Sequence, residues 1–113
     1  MIRRAGGMVH LIGRIDGVPS FEALPSGGEM MSLNLSTRVS GDKSRAPRLA
    51  WHRVVSFAPA VHRVARDLSP GDDVSVHGFL ERRAYEQNGI WHEVWEIVAD
   101  WVERLPGSRT STV

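Results

Sequence analysis

At 113 residues, 42% hydrophobic and 24% charged, the chain has the size and make-up of one globular domain, small enough to gain from self-association. It has no cysteine, which excludes disulfide scaffolds, thiolate metal sites and cysteine nucleophiles. No apolar run approaches the ~20 residues of a membrane span, and the basic start MIRRAGG lacks the apolar stretch of a secretory signal, so a soluble cytoplasmic protein is expected. The net charge of +1 hides an asymmetry: residues 1–57 hold eight Lys/Arg against four Asp/Glu, and residues 58–113 hold six against nine.

Residues 8–16 (MVHLIGRID) have an apolar centre and read as strand 1, with Gly13 easing a bend or bulge and Asp16-Gly17 and Pro19 punctuating its end. Pro25 to Gly28 is a turn. Met31, Leu33, Leu35, Thr37 and Val39 alternate with Ser32, Asn34, Ser36 and Arg38, which predicts a half-buried strand 2. SGDKSRAP, residues 40–47, is a polar, basic loop. Residues 49–57 form strand 3. Pro59 suits the first turn of a helix, and Val61, Val64, Ala65 and Leu68 follow at i, i+3, i+4 and i+7, one apolar stripe about three turns long. Pro70-Gly71 stops it. Strand 4 spans residues 73–85 with a bend at Gly78, Asn88-Gly89 is a strong hairpin turn, and strand 5 spans residues 90–102.

Three strands, one short helix between strands 3 and 4, then two more strands fit an all-β OB-fold. That is a five-stranded Greek-key barrel used mainly for oligonucleotides or oligosaccharides. The expected organisation is an N-terminal extension over residues 1–7, a binding domain over residues 8–105 and a short polar tail over residues 106–113.

Catalytic chemistry is not legible. His10, His52, His62, His77 and His92 make no helical metal pair, and HEVWE (residues 92–96) lacks the second histidine of a zinc-protease motif. GDKS (residues 41–44) lacks the glycine and Gly-Lys of a phosphate-binding loop. Asp72-Asp73 follows Pro-Gly and reads as a turn. No enzyme, metal or cofactor is expected.

The informative stretch is AWHRVVSF, residues 50–57. Strand side chains alternate between faces, so Trp51, Arg53, Val55 and Phe57 share one face and Ala50, His52, Val54 and Ser56 the other. Periodicity alone leaves open whether the aromatic face is core or binding surface. The basic excess peaks nearby: Arg38, Lys43, Arg45, Arg48 and Arg53 stand against one acid, Asp42. That suits an anionic ligand along one side, or else a solvated loop.

The chain resembles the bacterial-type single-stranded DNA-binding proteins. VHLIGRI (residues 9–15) is similar to their first strand, and ALPSGGEMMSLNLST (residues 23–37) to their turn and second strand. AWHRVVSF is close to their Trp-His-Arg-Val-Val-x-Phe block. PGDDVSVHGFLERRAY (residues 70–85) and EIVADWVERL (residues 96–105) are similar to strands 4 and 5. The resemblance implies that Trp51 and Phe57 stack on unpaired bases and that Arg53 meets a phosphate or a base. It places Tyr85 at a position where the family commonly has a stacking tryptophan, and Arg82 and Arg83 as a clamp beside the 4–5 hairpin. Trp91 either extends the platform or packs the hairpin. Trp95 and Trp101, on the same strand parity as Trp91, are expected in the core or at a subunit contact, because Ile97 and Ala99 between them look buried. His52 is expected to pack or to face another subunit.

Two departures accompany the likeness. A tryptophan frequent after strand 2 is replaced near Gly41, and the chain ends RLPGSRTSTV with no acid after Glu103, so acidic-tip recruitment of replication proteins is not expected. The implied function is sequence-tolerant binding of single-stranded DNA in replication, recombination or repair, as a homo-oligomer, a tetramer before a dimer. The alternatives are a primosome-type accessory dimer bridging DNA and a helicase, and an OB module that binds proteins only.

Overall fold

A computed structural model describes residues 7–39 and 48–106. Lys43 and Arg45 of the basic loop, and Gly41, lie outside the described residues. The elements are β1 (Met8–Ala23), β2 (Glu29–Val39), β3 (Arg48–Ser56), α1 (Pro59–Ala65), β4 (Asp73–Gln87) and β5 (Ile90–Arg104). They close a barrel in the order β1-β2-β3-β5-β4, which is the OB-fold. All neighbours are antiparallel except β3 and β5, whose parallel pairing closes the barrel.

Strand β1 is longer than its sequence pattern suggests. Its first half pairs with β4 and its second half with β2, and Arg14 pairs with both. The Asp16-Gly17 signal marks a register irregularity before Ser20 rather than an end, with Gly17 at φ 77°. Gly13 sits just before the change of partner; a Cβ there would lie 2.5 Å from the Ser36 carbonyl oxygen. Strand β1 can therefore cross to β2 only with a hydrogen at that position.

Gly78 has a similar role between β4 and β5. His77 faces Trp101 but Gly78 faces Ala99, so Asp100 is an extra residue in β5. A Cβ on Gly78 would collide with the Val98 carbonyl. This bulge takes Trp101 off the parity that it was expected to share with Trp91 and Trp95, which lie before the bulge and keep it. Ile97 and Ala99 do point into the core, but Trp101, beyond the bulge, falls on the outward register with His77. The 4–5 hairpin turns on Asn88 and Gly89, at φ 55° and 78°, the backbone that a two-residue turn of this hand requires.

The core is the inner row of each strand: Ile15, Leu33, Leu35, Val54, Val74, Val76, Ile97, Ala99 and Val102. One barrel mouth is capped by Val61, Ala65 and Leu68 of the helical segment. The helix starts with Pro59 in its first turn, where no amide donor is needed. It is shorter than the apolar stripe. It ends at Ala65, and the bonds from Asp67 N to Val64 O and Leu68 N to Ala65 O tighten the chain so that Leu68 still reaches the core. Asp72 is buried and its Oδ2 accepts the Ser69 amide, closing the turn at Pro70-Gly71, whereas Asp73, expected in that turn, is the first residue of β4 and pairs with Arg14. Among the described residues no helix is long and apolar enough to cross a membrane.

Candidate functional site

Strand β3 resolves the two-faced stretch. Val54 and Ser56 are fully buried on the inner face, while Trp51 stands 58% exposed on the outer one. His52, half-buried, bonds through Nε2 to Thr37 Oγ1 at 2.9 Å, a packing role as expected. Val55 departs from the pattern: it is on the outer parity yet buried, where β3 meets Val98 of β5.

The parallel pairing of β3 with β5 runs only from Arg53 opposite Glu96 to Val55 opposite Val98. Toward residues 48–52 and 90–95 no such pairing is present, and the two strands part. A cleft of about 460 Å³ opens there, lined by Asp16, Asn34, Trp51, His52, Arg53, Val94 and Trp95. Trp95 is 50% exposed, so it is not in the core of this chain, and it stands with Trp51 on the walls of one cleft. Sequence reasoning missed this role. The available signal was length: β4 and β5, at 15 residues each, outrun the nine of β3, so their hairpin must project past the barrel wall.

The cleft is flanked by a charged triad. Glu96, whose side chain is only 8% exposed, accepts from Arg53 Nε at 2.6 Å, and from Arg83 Nε and Nη2 at 3.0 Å each. Burial pushes the Glu96 carboxyl up, but the bonds from Arg83 and Arg53 outweigh it and hold the group below its ordinary range. The Arg83 guanidinium also lies 5.5 Å from the Tyr85 ring centre, and Tyr85 stacks on His92 at 5.1 Å. Arg53, Arg83, Tyr85 and His92 thus form one surface continuous with the cleft.

Arg82 does not join it. Neighbouring strand residues face opposite ways, so Arg82 is on the face of the hairpin that carries Trp95, the cleft wall, pairing with Glu93 at 3.5 Å and lying 5.9 Å from the Trp95 ring, while Arg83 is on the face of Tyr85 and Glu96. The expected Arg82–Arg83 clamp is therefore divided between two faces. Trp91 is 70% exposed near the hairpin tip, opposite Glu86, and does not pack the hairpin. Arg38 and Arg48 lie exposed at the far ends of β2 and β3, one register step apart.

Phe57 also stands apart. It follows the last residue of β3, and it lines a separate depression with Glu29, Pro59, His62, Arg63 and Arg66. There Arg66 covers the Phe21 ring at 4.0 Å and pairs with Glu29, while the buried His62 donates through Nε2 to the Ser56 carbonyl at 2.7 Å. Trp51 and Phe57 are six residues apart, roughly 20 Å at 3.3 Å per strand residue, so they are two stations and not one platform.

A further outward surface lies on β1, β4 and the end of β5. Met8 and Ile12 are exposed there, and His10 and His77 stack at 4.0 Å beside Trp101. Among the described residues no three His, Cys, Asp or Glu converge as a metal site.

Comparison with known proteins gives two results. Residues 8–105 match the family model of the Single-strand binding protein family. Among solved structures, the chain is similar to the Plasmodium falciparum SSB in complex with ssDNA, at TM-score 0.79 and 22% identity, covering 93% of this chain and 99% of that one. It is also similar to the small single-stranded DNA-binding protein from Streptomyces coelicolor, at TM-score 0.71 and 19% identity, covering 91% and 97%.

Proposed function

Because the chain belongs to the single-strand binding protein family, whose members are non-enzymatic DNA-binding proteins, we propose that it binds single-stranded DNA with little sequence preference, by stacking bases and holding phosphates. The observation that carries the mechanism is the Trp51–Trp95 cleft, open beside the Arg53–Glu96–Arg83 triad. Every base has a π-face, so an exposed indole receives any of them, at ~1–3 kcal/mol per base. Duplex bases are already stacked and cannot enter. Phosphates follow the arginine side, because Asp16 makes the β1 side of the cleft acidic.

The strand's path runs through the cleft between Trp51 and Trp95 and on to Phe57 with Arg63 and Arg66, and the hairpin offers it Tyr85 on one face and Trp91 on the other. Arg38, Arg48 and Arg82, with Lys43 and Arg45 of the basic segment between β2 and β3 in the sequence, add long-range attraction that weakens with salt. The protein acts in the cytoplasm at the nucleoid, in replication, recombination or repair. Met8, Ile12 and Trp101, exposed on one outward surface, support self-association, as a homotetramer before a dimer.

The test is intrinsic tryptophan fluorescence on titration with oligo-thymidine and with duplex, at two salt concentrations. Quenching by the single strand alone, weakening at the higher salt, supports the reading. Equal response to both nucleic acids, or none to either, overturns it.

A further inference from the structure

Glu96 is an unusual residue to find in an anion site. It is acidic, almost fully buried on the outer wall, and central. Three strands meet at it: Arg53 opposite on β3, Glu81 opposite on β4, and Arg83 reaching back from two residues further along β4. Both of its oxygens are used, and each of its partners is about half-exposed. The Arg53–Glu96–Arg83 triad alone carries one net positive charge, which Glu81 on the neighbouring strand offsets, and both guanidiniums are held on the carboxylate, Arg83 also lying 5.5 Å from the Tyr85 ring centre.

That arrangement has two physical effects. A free arginine loses rotamer entropy when it is fixed on a phosphate, and holding it on the carboxylate removes part of that cost from phosphate binding. A carboxylate among phosphate contacts also repels any polyanion, whether single or double stranded. The first effect helps only a ligand whose phosphates fall at the fixed positions while its bases stack in the cleft. The second weakens every nucleic acid alike. A duplex therefore meets the repulsion without the compensating fit.

We propose that Glu96 is a positioning residue that sets how sharply this site separates single strands from duplex, by fixing Arg53 and Arg83 and by holding a negative charge between them. This rests on the single-strand reading above, and the experiment separates the two. The intact chain and Glu96→Gln are titrated with labelled oligo-thymidine and with duplex of equal length, by anisotropy, over a series of salt concentrations. The amide keeps one acceptor but loses the charge and the double fork. Duplex affinity is expected to rise about three- to tenfold at low salt, with a salt slope steeper by about one. Single-strand affinity should stay level or fall, so that the ratio drops by at least about threefold.

An unchanged ratio in a folded Glu96→Gln overturns the proposal and leaves the single-strand reading intact. Failure of the intact chain to bind oligo-thymidine overturns both. If Glu96→Gln does not fold, Arg53→Lys/Arg83→Lys keeps all charges but removes the planar forks. A preserved single-strand to duplex ratio in that variant overturns the proposal, and a tenfold drop supports it.

Discussion

Trp51 owes its exposure to Val54. Once Val54, on the opposite parity, is fully buried in the core, Trp51 has only solvent to face. Truncating it removes a stacking surface and little packing. Trp51→Ala should lower oligo-thymidine affinity roughly 5- to 100-fold, from ~1–3 kcal/mol of lost stacking, with its melting temperature close to that of the intact chain. Anisotropy titration and a thermal melt check both halves. Glu96 gives a pH prediction. Its folded carboxyl lies below the ordinary value of 4.5, so its stabilising contribution is present above that value and is lost as the pH falls through the lower folded value. The difference in urea midpoint between the intact chain and Glu96→Gln should therefore be constant near neutrality and shrink below about pH 4.5. A difference that stays constant to pH 3 would mean that the carboxylate charge contributes nothing to the fold. AWHRVVSF revealed Trp51 and Arg53 because alternation in a strand is strictly local. It did not reveal that Arg53 is shared with Arg83, because the carboxylate that joins them lies 43 residues on.

At the scale of elements, the sequence marked where most strands lie, because turn residues and alternation are local signals. Asn88-Gly89, Pro25 to Gly28 and the alternation through Leu33 and Leu35 each fall where the structure has a turn or a strand. The extension of β1 to Ala23 was hidden. A bulge and a strand end use the same residues, and only pairing with β2 tells them apart. The bulge at Asp100 was hidden for the same reason, and with it the turn of Trp101 to the outer register. Gly78 is the residue that makes this bulge sterically possible. Gly78→Ala should destabilise the fold by at least ~1–3 kcal/mol, since its methyl group has backbone and not a flexible side chain to displace. Thermal unfolding would register this as a drop of about 4–8 °C per kcal/mol. A shift within error would show that β5 can slide without cost.

For the whole molecule, the aromatic cleft and the Met8, Ile12 and Trp101 surface lie on different strand combinations. DNA binding and self-association should therefore be separable. The intact chain is expected to show a tetrameric mass by light scattering, and Trp101→Lys a smaller one, while each barrel of the variant retains tryptophan quenching by short oligo-thymidine. Loss of quenching together with loss of mass would place Trp101 in the DNA path instead. Fold class and the outward Met8, Ile12 and Trp101 surface differ in legibility because one is built from periodic segments, while the other depends on a bulge that rotates a single side chain.

The barrel is closed by its shortest ladder. β4 and β5 pair along nearly their whole length, but β3 and β5 touch only between Arg53–Glu96 and Val55–Val98, joining segments some forty residues apart. Such a junction has a long loop to close and the fewest pairings to hold it. It should form last in folding and open first in the native state. Amide hydrogen exchange would show this as faster exchange at Val54 and Ile97 than at Val76 and Val102, although all four side chains are buried. An oligonucleotide held beside the Arg53–Glu96–Arg83 staple would slow that exchange before it altered any other part of the barrel, making the junction an internal gauge of occupancy.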